Sequence, residues 1–216
     1  MQLALNYKAA EQKTLPKTTA GSPAEFLKLS KAEINALPIR AYEGDIVLVR
    51  DQNQLDGALN GLWQEKILGF DTETKPTFTK GPPSPPALIQ LAGENHVYLF
   101  QLSQLAFGKE LAELLAAPGI IKAGVAVRDD FRALNNLYPF EAGGEVDLAQ
   151  VAKTKGIMAQ GLRSLSATLL NFRISKSMQC SNWANPKLNQ KQIKYAATDA
   201  WISREVYLAL YGLRTF

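Results

Sequence analysis

The 216-residue chain is 46% hydrophobic, carries a formal net charge of +4, and contains one cysteine and one histidine. That length and apolar content suit one α/β core with a short appendage, and two full domains would be cramped. Cys180 has no partner for an intramolecular disulfide, a lone histidine excludes a multi-histidine zinc site, and no apolar run is long enough to span a bilayer.

Residues 1–29 are rich in Thr, Ala, Lys, Ser and Pro with little periodicity and read as an extended arm. The first residues hold no long apolar segment, and residues 1–24 contain no arginine, which argues against a secretory or organellar leader and for a cytoplasmic protein. Ser30 and Glu33 have the spacing of a capping box, and Leu37-Pro38 closes the short helix they start. The division expected is an arm with a short helix over residues 1–40 and a single domain over 41–216.

Ile46 to Val49 (IVLV) predicts a first strand, and Leu55, Leu59, Leu62 and Trp63 fall at helical spacing after it. Next comes Ile67 to Glu73 (ILGFDTE), an apolar strand that ends in two acids. Side chains two apart on a strand share a face, so Asp71 and Glu73 project together. Carboxylates so close repel one another unless a cation neutralises them, and oxygen ligands without histidine favour Mg²⁺ or Mn²⁺ over zinc.

A proline-rich loop, Lys75 to Pro86, precedes two further strands, ALIQLA (87–92) and HVYLF (96–100), joined by a Gly93-Glu94-Asn95 turn. Three antiparallel strands are therefore expected, beginning with the acidic one. His96 opens the third of them. A Ser-His-Asp triad or Cys-His dyad would have to run through it, and its expected role is structural. Lys109 to Ala117 predicts a helix stopped by Pro118-Gly119, and Gly119 to Val127 (GIIKAGVAV) a buried strand followed by a helix through Leu137.

That turn carries Asp129 and Asp130. Asp130 lies four and seven residues before Leu134 and Leu137, the positions expected to face the sheet, which makes it the inward carboxylate. Asp129 serves the positive end of the helix. Asp147 is placed to cap the helix that begins at Ala149, and Gly161 to Leu170 forms another amphipathic helix with Leu162, Leu165 and Leu169 buried. Residues 171–188 are less regular. Trp183, among basic residues there, has the character of a base-stacking side chain or of a packing tryptophan. Asn189 and Gln192 cap a final helix in which Tyr195 and Asp199, four apart, share one face, while Ala196, Ala197 and Ala200 permit close approach to the sheet.

Charge is unevenly distributed. The 51 residues from Leu148 to Thr198 contain no Asp or Glu and eight Lys or Arg, while everything outside them sums to −4. A polyanion approaching a carboxylate cluster needs such a basic surface, and a nucleic-acid backbone fits that need.

The order D-x-E at a strand end, Asp after a later strand, and Y-x-x-x-D on a late helix resembles the DEDDy class of 3′-5′ exonucleases. The segments FDTE, ALIQLA, AGVAVRDD, GLRSL, CSNWANPKL and YAATDA are similar to the Werner-type exonuclease and ribonuclease D family, within the DnaQ-like superfamily, over residues 45–212. The resemblance implies a ribonuclease H-like α/β fold, with a mixed sheet flanked by helices. It also implies two-metal phosphodiester hydrolysis by Asp71, Glu73, Asp130, Tyr195 and Asp199, releasing nucleoside 5′-monophosphates.

In that scheme Asp71 bridges two Mg²⁺ or Mn²⁺ ions, Glu73 and Asp199 hold the ion carrying the attacking water, and Asp130 holds the other. Tyr195 orients the water. Thr72, Lys75, Trp183 and Lys187 are the candidate nucleic-acid contacts. Family members with further helical or helicase regions contrast with this chain, which reads as a stand-alone domain acting on DNA or RNA 3′ ends, with no membrane and no obligate protein partner. The rivals are a catalytically silent nucleic-acid-binding module of the same fold and a metal-dependent phosphatase or nucleotidase.

Overall fold

The computed structural model describes residues 28–77 and 84–213. Most of the expected N-terminal arm and the middle of the proline-rich loop lie outside them. Ser30 caps α1 (Lys31–Ala36) with the reciprocal box: its Oγ accepts from the Glu33 N–H, and the Glu33 carboxylate accepts from the Ser30 N–H. After β1 (Asp45–Val49), Asp51 caps α2 (Gln52–Leu62), whose Leu55, Leu59 and Leu62 are buried at the predicted spacing. Trp63, expected on that face, is 43% exposed, because it is the cap residue where the helix ends.

β2 (Ile67–Thr74), β3 (Pro86–Ala92) and β4 (His96–Gln101) form the predicted antiparallel trio. The chain continues through α3 (Lys109–Ala116), β5 (Ile121–Gly124), α4 (Val127–Asn135), β6 (Glu145–Asp147), α5 (Leu148–Thr154), α6 (Leu162–Leu170) and α7 (Gln190–Leu210). The sheet order is β1-β4-β3-β2-β5-β6, with β1-β4, β2-β5 and β5-β6 parallel. This is the expected mixed sheet.

Two expectations change here. The strand read over Gly119–Val127 covers only β5, because Ala126 adopts a left-handed conformation (φ 59°) and turns the chain straight into α4. Leu137 lies beyond the end of α4 and is 43% exposed, so Val127, Phe131 and Leu134 form the buried face. The apolar period outlasts the helix.

Helices cover both faces of the sheet, as its buried strands demand. On one face, Leu68, Phe70, Ile89, Leu91 and Phe100 pack with the apolar sides of α2, α3 and α4. On the other, Leu88, Ala92 and Leu99 pack with Ala196, Ala197 and Ala200 of α7. The segment before β1 is tied to the body: the Arg173 N–H donates to Pro38 O, the Arg40 N–H to Arg173 O (both 2.9 Å), and the Tyr42 N–H to Thr198 Oγ1 (3.0 Å). Among the described residues, no helix is long and apolar enough to cross a membrane.

Candidate active site

The site begins with Gly69. A Cβ there would lie 1.9 Å from the Ala200 carbonyl oxygen, so only glycine lets the α7 backbone rest directly on β2. Asp71 and Glu73 follow at two-residue intervals on that same face. Asp199 precedes Ala200, so this contact brings a carboxylate from a distant helix down onto them. One carboxylate oxygen from each of Asp71, Glu73 and Asp199 lies within 4.8 Å of the others.

Asp130 arrives from the opposite layer. Its neighbour Phe131 packs edge-on against Phe70 at 5.0 Å, fixing α4 to β2. Thr72 points to this second face, and its Oγ1 donates to the Asp130 carboxylate at 2.7 Å. Asp130 stands outside the tight trio, yet its charge acts on both Asp71 and Glu73. Asp129 points to solvent and pairs with Arg132 at 2.9 Å.

Asp147 does more than the capping expected of it. One oxygen accepts from the Gln150 N–H at the start of α5, and the other from the Ala126 N–H in the strained turn that launches α4. Asp147→Ala is therefore expected to cost about 1–2 kcal/mol, the upper part of the range of about 0.5–2 kcal/mol for a lost cap, because a second hydrogen bond goes with it. It should also loosen the start of α4, which carries Asp130. Denaturant unfolding checks the first effect and amide hydrogen exchange in α4 the second.

Burial is the first cause of every raised pKa in the cluster. Asp71 is held well above the carboxylate range by burial and by the charges of Asp199, Asp130 and Glu73. Glu73 is pushed up to about 9 by burial, Asp199 and Asp130. Asp199 is raised to about 7 by burial, against the opposing effects of the Tyr195 hydroxyl and the Lys176 ammonium, and Asp130 to about 6 by burial, against the Thr72 hydrogen bond. Burial, followed by the Asp199 and Glu73 charges, also raises Tyr195, so its phenol stays neutral. A buried oxygen-only donor set with excess negative charge fits hard divalent cations.

Asp71, Glu73 and Asp199 open into a cleft of about 300 Å³ that Tyr195, Arg163, Lys176 and Gln179 also line, and Asp130 is not part of its lining. In sequence Lys176 stood out only as a member of the acid-free segment, because residues 171–188 follow no period that could aim it, while Arg163 lay on the helix predicted over 161–170, whose period marks its apolar face but not what its polar residues meet.

The four candidate nucleic-acid contacts have separate placements. Thr72 lines the cleft while its hydroxyl is engaged by Asp130. Lys75 and Lys187 are exposed and lie outside the cleft lining. Trp183 is a correction: it is 0% exposed and packs against Tyr195 with ring centres 6.0 Å apart, so it offers no face to a base. It supports the tyrosine from behind. His96 stands exposed at the start of β4.

A mixed six-strand sheet flanked by helices, with carboxylates gathered at the end of its antiparallel trio, is the ribonuclease H-like architecture of exonuclease domains. The Nibbler EXO domain of Aedes aegypti shares this fold with a TM-score of 0.72 at 24% identity, over 82% of this chain and 92% of that one.

The profile of the 3′-5′ exonuclease family matches residues 46–212, and the chain belongs to that family, within the DnaQ-like superfamily. Mouse exonuclease 3′-5′ domain-containing protein 2 is 33% identical over 189 residues, covering 80% of this chain and 29% of the relative. Mouse bifunctional 3′-5′ exonuclease/ATP-dependent helicase WRN is 35% identical over 153 residues, covering 68% and 11%. The chain thus spans less than a third of either relative.

Proposed function

We propose that the protein is a DEDDy-type 3′-5′ exonuclease that hydrolyses the terminal phosphodiester bond of DNA or RNA, using two divalent cations, Mg²⁺ or Mn²⁺, and releasing nucleoside 5′-monophosphates. The observation that carries this reading is the convergence of Asp71, Glu73 and Asp199 within 4.8 Å. These three, with Asp130 beside them, are the residues that would hold the cations. Bound there, such ions stabilise negative charge on the attacking and leaving oxygens of a displacement at phosphorus.

The protein's own groups supply orientation and charge balance. Tyr195, kept neutral at physiological pH, hydrogen-bonds the attacking water and does not remove its proton. Lys176 and Arg163 at the cleft offset the carboxylates so that a polyanion can enter. The exposed Lys75 and Lys187 extend that attraction over the surface. The reading places the enzyme in the cytoplasm, acting without an obligate protein partner.

Tyr195→Phe keeps the ring packed on Trp183 and removes the hydroxyl. Its single-turnover rate is expected to fall roughly tenfold, about 1.4 kcal/mol of barrier, without reaching zero. A rate equal to the parent's removes the water-orienting role. The whole reading is tested with 5′-labelled single-stranded DNA and RNA of one sequence, with Mg²⁺, Mn²⁺ or EDTA. The expected result is a ladder shortening from the 3′ end, absent in EDTA. Tight binding with no cleavage in either metal would instead identify a silent binding module.

A further inference from the structure

A second cavity, of about 320 Å³, adjoins the catalytic cleft, and Tyr195 and Ser175 line both. Its charged lining is wholly cationic: Arg40, Lys191 and Lys194, with no Asp or Glu among the residues around it. None of the three makes a salt bridge among the described residues. Arg40 is nevertheless well placed. Its backbone is hydrogen-bonded to Arg173, and its guanidinium lies 5.3 Å from the centre of the Phe172 ring, which itself stacks on Trp201. Lys191 and Lys194 are one turn apart on α7, both exposed. Beside these cations Ile39 presents an apolar surface, 55% exposed.

Cations around an apolar patch match the two chemistries of a nucleotide, phosphate and base or sugar face. The two cavities are complementary. The acid-lined cleft suits the terminal nucleotide that is cut away, and its product must leave. An acid-free cationic cavity suits the part of the strand that must be retained between cuts.

We propose that the cavity bounded by Arg40, Lys191 and Lys194 is a strand-retention site, binding the single-stranded nucleic acid immediately 5′ of the scissile bond, phosphates on the cations and a base or sugar on Ile39. This rests on the exonuclease reading above. It also gives the segment before β1 a task in substrate binding, beyond closing the fold.

The test compares two substrates on the metal-loaded enzyme: a single strand of about twelve nucleotides, with many phosphates to hold, and the p-nitrophenyl ester of a nucleoside 5′-monophosphate, which fills only the terminal position. For Lys191→Ala/Lys194→Ala, the loss in kcat/KM on the strand should exceed the loss on the ester at least tenfold, carried by KM and not kcat. The salt dependence of strand binding should also become shallower by about 1.4 log units per log unit of salt, two phosphate contacts' worth. Ile39→Asp, which places a negative charge on the cavity wall, should show the same selectivity. Equal losses on both substrates, or none, overturn the site while leaving the exonuclease intact. A parent protein that cleaves neither substrate removes the exonuclease reading and this site together.

Discussion

Asp71→Asn is expected to lower cleavage on the order of 10³-fold or more, about 4 kcal/mol of barrier, while making the cation-free protein more stable. Asp71 shares the tight trio with Glu73 and Asp199, and the substitution removes one of the carboxylate charges that the proposed cations would require. The stability gain follows from the sign of the pKa shifts. A carboxyl whose folded pKa lies above its unfolded value costs stability when it ionises, because the folded state holds the proton more tightly. That cost is absent below the unfolded carboxylate range of about pH 4 and grows as pH rises to the folded value. With Asp199 at about 7 and Glu73 at about 9, the cation-free protein should lose stability steadily over that interval.

Removing the Asp71 charge relieves part of this repulsion. The variant is therefore expected to be more stable than the parent near pH 8 when no cation is present. For a chain of this size each kcal/mol gained raises Tm by roughly 2–4 °C. Mg²⁺ or Mn²⁺ should stabilise the parent more than the variant, and more near pH 8 than near pH 6, because protons and cations compete for the same oxygens. Thermal melts in EDTA and in each metal, at both pH values, check every part. A variant less stable than the parent in EDTA at the higher pH would mean that the repulsion is not what the fold resists.

Gly69→Ala should be the most damaging small substitution outside the acids. The added Cβ would sit 1.9 Å from the Ala200 carbonyl oxygen and 2.7 Å from the Arg204 nitrogen, and both are backbone atoms of α7 that no side-chain rotation can move. The helix must lift. The expected cost is about 3 kcal/mol or more, at or beyond the top of the usual overpacking range, and a fall in Tm of roughly 6–12 °C. Because Asp199 rides on the same turn, a shift of about 1 Å opens the carboxylate trio and should cost about 100-fold in turnover.

Gly57, on α2 with nothing within 4 Å of an added Cβ, is the control. Gly57→Ala should stabilise by about 0.5–1 kcal/mol through helix propensity alone, with activity unchanged. Matching behaviour of the two variants would remove the close helix-sheet contact as the device that assembles the site.

The positions legible in sequence share one property: their signal is local. The antiparallel trio showed in apolar strands broken by Gly93-Glu94-Asn95, the caps at Ser30, Asp147 and Asn189 in their spacing to the next turn, and the orientation of Asp130 in its distance from Leu134. Reading failed where a period ran past its element, as at Trp63 and Leu137, or where a left-handed residue, Ala126, ended a strand inside a run of apolar residues. Trp183 was undecidable in sequence, since a buried and a stacking tryptophan look alike until the layer above them is known.

The sequence by itself determined which residues bear charge, which strands and helices exist, and on which face of each element the acids stand, because periodicities of 2 and 3.6 residues are properties of the chain alone. Only the tertiary structure decided that Asp71, Glu73 and Asp199 meet while Asp130, hydrogen-bonded to Thr72, stands outside their trio. It alone also placed Arg40 beside Lys191 and Lys194. Such meetings depend on how closely two layers approach, and here that distance is set by a missing Cβ at Gly69, an effect that no local pattern encodes.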